Sequence, residues 1–320
     1  MYNKWKVKNH KSLRKKNTVT FTRAILLLVL LVGIYYLLPQ LSAFKHTFTV
    51  IWHASWLWLL LCLLVTCLSF LASAITQFAA GNYLGKLSDI AYLDFAGSFI
   101  SHFLPFSVGG VNLTTRYYRK LGEPRPKAIV MSTIPIIFGV ISTILMVAII
   151  SPITLVKYFN KVHNTHLSSW KLYLTIGIVV ALVIVVIFFH QKVKTFLREA
   201  WSGLRGIKNL KQLGVLLAGS LSVTFTSTAI LFLSVIAIHR SVSLIAIFVL
   251  YVTSSLVSNG APTPGGIGAT EAVLVVGLHA MHLSLPDAAA VTLIYRFFTF
   301  WMPILPGGIA LHRVNKLKIV

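Results

Sequence analysis

Two ionisable residues stand where an apolar chain has little room for charge. Glu271 closes the stretch Ser258-Asn-Gly-Ala-Pro-Thr-Pro-Gly-Gly-Ile-Gly-Ala-Thr-Glu271 and opens an apolar run. Arg296 lies well inside the last apolar segment, in Leu293-Ile-Tyr-Arg-Phe-Phe-Thr-Phe300. A charge near the centre of a bilayer costs at least about 2.5–3.5 kcal/mol on insertion scales, so each of these calls for a partner. Two chemistries are open. Glu271 and Arg296 form a structural ion pair, or Arg296, with Tyr295 beside it, meets a phosphate while Glu271 orients it or senses a proton.

The Pro-Gly stretch before Glu271 has a counterpart. Ser101-His-Phe-Leu-Pro-Phe-Ser-Val-Gly-Gly110 also begins Ser-x-x-x-Pro and reaches Gly-Gly, and it is followed by Asn112 and the cluster Arg116, Arg119, Lys120. A fainter echo, Pro303-Ile-Leu-Pro-Gly-Gly308, shares Pro-Gly-Gly-Ile with the second stretch. Backbone that leaves the helix at membrane depth must be buried in protein or line a wet cavity, because unsatisfied amides are too costly in lipid. Two such breaks in related positions are the pattern left by discontinuous helices meeting at a binding site. A half-helix starting at Gly109-Gly110 or Gly265-Gly266 would offer N–H groups to an anion. The competing reading is that the breaks only shape kinks for tight packing.

The remaining candidates carry weaker signals. Asp89 is expected to cap a helix after Ser88, Asp94 lies deeper, and His102 adjoins the first break. His163/His166 and His279/His282 have helical spacing but no carboxylate at metal-ligand distance, so no metal and no cofactor is expected. Cys62 and Cys67, five positions apart on a helix, point to different sides and read as fillers. Ser220, Thr224 and Thr228, with Ser227 beside them, form a small polar stripe that reads first as a packing face and second as cavity lining. No nucleophile elbow, Walker sequence or zinc-protease motif occurs, so no catalytic residue is assigned and the chain leans away from an enzyme; an intramembrane enzyme would have only Glu271, Asp94 and His102 to work with.

The elements that must position these residues follow from composition. The 320 residues are 57% hydrophobic and 11% charged, less than half the usual charged share of soluble domains. That excludes a soluble enzyme, a coiled coil and a disordered tail. The fold expected is an all-α, polytopic membrane helical bundle with broken, re-entrant half-helices. Apolar stretches run at roughly 24–44, 54–80, 128–152, 172–190, 213–238, 243–258 and 287–311, giving six or seven full spans. The re-entrant pieces are expected at 89–113 and 262–283. The chain divides into a basic segment 1–23, a membrane domain 24–311 and a basic tail 312–320.

Charge orients the bundle. Lys and Arg number 29 against 6 Asp and Glu, a net +23, and the basic residues cluster in short stretches between apolar segments. They read as topology signals and anionic-lipid contacts, Arg116, Arg119 and Lys120 among them, and not as a nucleic-acid surface. Placing 1–23, 114–127, 191–212 and the C-terminal end on one side makes both termini cytoplasmic; the loop 153–171, with three Lys, then lies outside as a mild violation. No hydrophilic stretch exceeds about two dozen residues, so no separate catalytic domain of the usual minimum, about 50 residues, is expected.

Pro262 to Glu271, then Asp287-Ala-Ala-Ala-Val-Thr-Leu-Ile-Tyr-Arg296, then Pro303 to Gly308 resemble the transmembrane region of lysylphosphatidylglycerol synthase/flippase proteins. Leu104-Pro-Phe-Ser-Val-Gly-Gly110 with its trailing basic cluster fits the same family's first broken segment. The chain departs from the family at Val111-Asn112, where an acid often follows the Gly-Gly, and in Ser132–Gly139, which lacks the Arg and Asp often found there. The resemblance implies a plasma-membrane module that binds or translocates a phospholipid. The lipid class is phosphatidylglycerol or lysylphosphatidylglycerol, which links the chain to membrane charge and resistance to cationic peptides. The head-group residues expected from the paired breaks and the intramembrane charges are Gly109, Gly110, Asn112, Gly265, Gly266, Glu271, Tyr295 and Arg296. The partner is an anionic or aminoacylated phospholipid; a separate aminoacyltransferase and further copies of the chain stay open. The alternatives are the membrane part of a phosphatidylglycerol lysyltransferase and a non-transporting scaffold.

Overall fold

A computed structural model of the chain describes residues 41–103, 109–162, 209–261 and 263–316. The expected spans at 24–44 and 172–190 lie outside these residues, apart from 41–44, which open the first described helix. All regular structure among the described residues is helical. The helices are α1 (Leu41–Trp52), α2 (Trp56–Ala80), α3 (Leu87–Phe103), α4 (Gly109–Lys120), α5 (Arg125–Val162), α6 (Leu210–Ala237), α7 (Leu244–Gly260), α8 (Ala269–Ala280), α9 (Leu285–Arg296) and α10 (Met302–Lys316). A 3₁₀ turn, Pro264–Gly266, precedes α8, and a π turn, Phe297–Trp301, joins α9 to α10.

Four helical stretches among the described residues are long and apolar enough to cross a membrane: Trp56–Ala80, Arg125–Val147, Leu210–Ala237 and the continuous run Leu285–Lys316. Their outer faces are apolar, with Leu64, Ile144 and Phe225 among the exposed side chains. This inverts the pattern of a water-soluble protein and fits lipid as the surrounding solvent. α2 and α6 make the broadest helix pair, pinned at one end by Gln212 Nε2 donating to the Ala79 carbonyl at 2.7 Å. Cys62 is buried against α6 while Cys67 is exposed, on different sides of α2 as their spacing requires.

The two Pro-Gly regions each interrupt a helix pair of the same design. α3 and α4 have 17 and 12 residues, and so do α7 and α8. At 1.5 Å per residue these legs are about 26 and 18 Å long, short of the roughly 30 Å hydrocarbon core. The two legs of each pair pack against one another. In the first hairpin the contact is backbone on backbone: a Cβ at Gly97 of α3 would lie 2.7 Å from the Gly110 Cα of α4.

Three expectations need correction. The apolar stretch 243–258 is no full span but the longer leg of the second hairpin. The basic stretch 114–127 is mostly helical: Arg116, Arg119 and Lys120 belong to α4, and Arg125 and Lys127 to the start of α5, so only a short turn separates them. The expected loop beginning at residue 153 is helix as far as Val162, because the apolar sequence continues beyond Pro152 and one lost amide donor does not end a long helix.

The echo at Pro303–Gly308 is likewise no break. The helix continues through it, with the π turn directly upstream of Pro303. Gly307 sits where a Cβ would lie 2.8 Å from both the Phe95 carbonyl and the Phe99 Cβ, so its role is to seat α10 closely on α3.

Candidate functional site

The second break is built by its glycines. Gly265, Gly266 and Gly268 have φ of 57°, 67° and 86°, a region that L side chains enter only at a cost. Space is closed as well: a Cβ on Gly265 would strike the Phe300 ring, and one on Gly266 would strike Ser258 Oγ. The turn uses its own amides. Gly266 N–H donates to the Thr263 carbonyl at 3.1 Å and Ile267 N–H to that of Pro264 at 3.2 Å. The Gly266 amide is thus committed within the protein, and the Gly265 carbonyl faces the cation instead.

That cation is Arg296. Its Nε donates to Glu271 Oε1 at 2.5 Å, its Nη2 donates to the Gly265 carbonyl at 3.2 Å, and its guanidinium carbon lies 4.4 Å from the centroid of the Phe300 ring. The other Glu271 oxygen accepts from the Gly268 amide at 2.7 Å. One carboxylate therefore caps the N-terminus of α8, where negative charge is favoured, and pairs with the arginine of α9. The Arg296 side chain is 8% exposed and that of Glu271 32%. The ion pair, one of the two readings open from the sequence, is formed, and it leaves the guanidinium on the wall of a cavity.

The cavity, of about 250 Å³, lies where both breaks converge. α3 contributes Ser98, Ser101 and His102, and α7 contributes Tyr251, Ser254 and Ser258. Ser227 of α6, Ser255 and Asn259 of α7, and Gly265, Thr270, Tyr295, Arg296 and Thr299 complete its polar wall. His102 bridges the two halves. Its Nδ1 lies 2.5 Å from the Ser98 carbonyl, its ring meets Phe300 edge to face at 4.3 Å, and it hydrogen-bonds the Thr299 carbonyl. Residue 303 is proline and has no N–H to give to Thr299 in the helical pattern, which leaves that carbonyl for His102.

Two more cavities adjoin. One, of about 410 Å³, shares Ser98 and Ser101 with the first and reaches Asp94, Gly110 and Thr114. The other, of about 650 Å³, shares Tyr251, Ser255 and Asn259 with the first and is walled mainly by apolar residues such as Ile136, Val140, Ile144 and Leu256. Ser220 and Thr224 lie on its wall while also being buried between helices, with Thr224 Oγ1 3.3 Å from Ser142 Oγ, so the stripe both packs and lines.

Sequence-based candidates separate cleanly by position. Arg296, Tyr295 and Gly265 line the first cavity, and Glu271 and Gly266 support it from behind. Gly110 lines the second, its amide donating to Ser101 Oγ at 3.3 Å, and Gly109 opens α4. Asn112 is exposed and lines none of the three cavities. Two helical residues beyond Gly110 it is rotated by about 200°, whereas Thr114 returns to the Gly110 face. Arg116, Arg119 and Lys120 are exposed on α4. Asp89 stands in the first turn of α3 and accepts from Tyr117 Oη at 3.2 Å. His279 Nδ1 meets the Leu283 carbonyl at 2.9 Å, a local contact at the end of α8. His163 and His166 lie outside the described residues.

Sequence reasoning missed the hydroxyl wall: Ser98, Ser101, Ser254, Ser255 and Ser258. Its signal was the recurrence of Tyr251, Ser254/Ser255 and Ser258 at helical spacing, one face of α7.

Residues 20–307 match the family described as the lysylphosphatidylglycerol synthase TM region. The chain is also similar to a UPF0104 membrane protein of Methanocaldococcus jannaschii, 25% identical over 264 residues, with 73% of this chain and 77% of that protein covered.

Proposed function

Because the chain belongs to the lysylphosphatidylglycerol synthase transmembrane-region family, we propose that it binds a phospholipid head group at Arg296 and carries it between the leaflets of the plasma membrane. The observation that carries this reading is a buried guanidinium on the wall of a hydroxyl-lined cavity at the junction of two broken helices. Arg is suited to phosphate by its planar fork of donors. The adjoining apolar cavity supports an amphipathic ligand, polar at one end and hydrocarbon at the other. The exposed cluster Arg116, Arg119 and Lys120 gathers anionic lipid at the cytoplasmic face, at about 1 kcal/mol per basic residue near the surface. Phosphatidylglycerol and its lysyl ester are the lipids the family name points to, and display of the ester outside would lower binding of cationic peptides.

The experiment is reconstitution in liposomes with fluorescent phosphatidylglycerol or lysylphosphatidylglycerol, followed by quenching of the outer leaflet. Exchange faster than in protein-free liposomes is expected for at least one of the two lipids. Exchange at the protein-free rate for both would remove the translocase reading and leave a binding module.

A further inference from the structure

Asp94 dominates the chemistry of the second cavity. No Lys, Arg, His or second carboxylate is among the described residues lining it. Ser73 hydrogen-bonds the Asp94 carboxyl group. Its Oδ2 is buried and has no hydrogen-bond partner among the described residues. A carboxylate cannot stay there as a bare anion, because burying an unpaired charge costs far more than burying a neutral group.

Two of the hydroxyls that line the cavity with it, Thr114 and Ser132, cannot supply the missing donor. Thr114 Oγ1 gives its proton to the Gly110 carbonyl at 3.0 Å, and Ser132 Oγ gives its proton to that of Ala128 at 2.8 Å. A hydroxyl has one proton, so both present lone pairs to the cavity they line. Ser132 Oγ already accepts from Thr115 Oγ1 at 3.1 Å. Oxygen lone pairs around a single carboxylate suit a hard cation, and one negative charge matches one positive charge.

Charges on the surrounding elements lie elsewhere. α2 carries no carboxylate or basic residue from Trp56 to Ala80. On α4, Arg116, Arg119 and Lys120 are exposed; on α10, Arg313 is held by Tyr92 Oη at 2.8 Å. On α3 itself Asp89 is engaged by Tyr117, while His102 lines the first cavity, as does Arg296 of α9.

We propose that Asp94, with Ser73, Thr114 and Ser132, forms a binding site for one small monovalent cation, an alkali ion such as Na⁺ or a proton. The site adjoins the Arg296 cavity through Ser98 and Ser101. On the translocase reading its occupant is the ion whose gradient drives the cycle, but the site itself stands without that reading.

The test uses the full chain in detergent and measures binding, not lipid movement, so its failure is separable from failure of the translocase reading. Saturable binding of ²²Na⁺, lost in Asp94→Asn and weakened roughly tenfold in Thr114→Val, identifies an alkali ion. Absence of ²²Na⁺ binding together with a pH-titrating carboxylic-acid C=O infrared band, missing in Asp94→Asn and retained in Thr114→Val, identifies a proton. Absence of both signals in monodisperse wild-type protein overturns the proposal, as does either signal unchanged in Asp94→Asn. Should Asp94→Asn fail to fold, Ser73→Ala replaces it; an unaltered affinity or band position in that variant also overturns the site.

Discussion

Replacing Arg296 with Ala is expected to abolish lipid exchange and to cost about 3–5 kcal/mol of stability, the usual penalty for breaking a buried ion pair from one side. The loss leaves Glu271 without its cation and the Gly265 carbonyl without its donor. Glu271→Gln is expected to cost less, since that side chain is 32% exposed and an amide oxygen still accepts from the Gly268 N–H. The informative protein is the double variant Arg296→Met, Glu271→Gln. Removing both charges together takes away the desolvation cost along with the attraction, so much of the stability should return. Lipid exchange should not. Thermal unfolding in detergent and the liposome assay, run on all three variants, separate the two roles. A double variant that melts like the wild type and also exchanges lipid at the wild-type rate would falsify a phosphate-binding role for Arg296.

Gly97→Val carries the second large effect. A Cβ at this position would lie 2.7 Å from the Gly110 Cα, and a backbone atom cannot rotate aside. The legs of the first hairpin must separate, at a cost of about 1–3 kcal/mol for an overpacked contact. Ser98, Ser101 and His102, the hairpin's contribution to the first cavity, move with it. Lipid exchange should therefore fall further than the melting temperature alone accounts for. Gly139→Ala is the control: beyond its chain neighbours and its own helix backbone no atom lies within 4 Å of its Cβ position, and it is in mid-helix. That variant should gain roughly 0.5–1 kcal/mol from helix propensity. If Gly97→Val melts and exchanges lipid like the wild type, the close approach has no functional weight.

The membrane class, the helical fold and the two interruptions were legible because each has a strong local cause. Low charge dictates lipid as solvent, and Pro with Gly-Gly marks a helix end at two of its three occurrences, 101–110 and 258–271. The Glu271–Arg296 pair was legible as one of two readings because an apolar chain cannot leave either charge alone. The hydroxyl wall was harder to see. Serines in an apolar helix bond their own carbonyls, as Ser254 does with Tyr251 at 2.9 Å, so their identity alone does not tell packing from lining. Only the placing of α3 and α7 on the wall of the same cavity, with the π turn beside them, puts Ser98, Ser101, Ser254 and Ser258 around one space. Asn112 shows the converse error: its neighbours in sequence suggested a site, and helical rotation put it outside. The continuous helix through Pro303 was unreadable because a π turn and a proline leave no composition signal different from a break.

The second hairpin also acts on the lipid around it. Its legs of 17 and 12 residues, with Val249, Leu256 and Val276 exposed, present apolar walls of about 26 and 18 Å to a hydrocarbon layer of about 30 Å. Lipids beside such walls must compress their tails, at a fraction of a kcal/mol for each ångström of mismatch. The bilayer is therefore expected to be thinner on the flank of the protein where these short legs meet lipid. Local thinning shortens the distance over which a polar group must leave water, so the protein deforms its solvent as well as offering a cavity. Membranes built from longer acyl chains should resist that deformation and hold the same chain to a slower exchange.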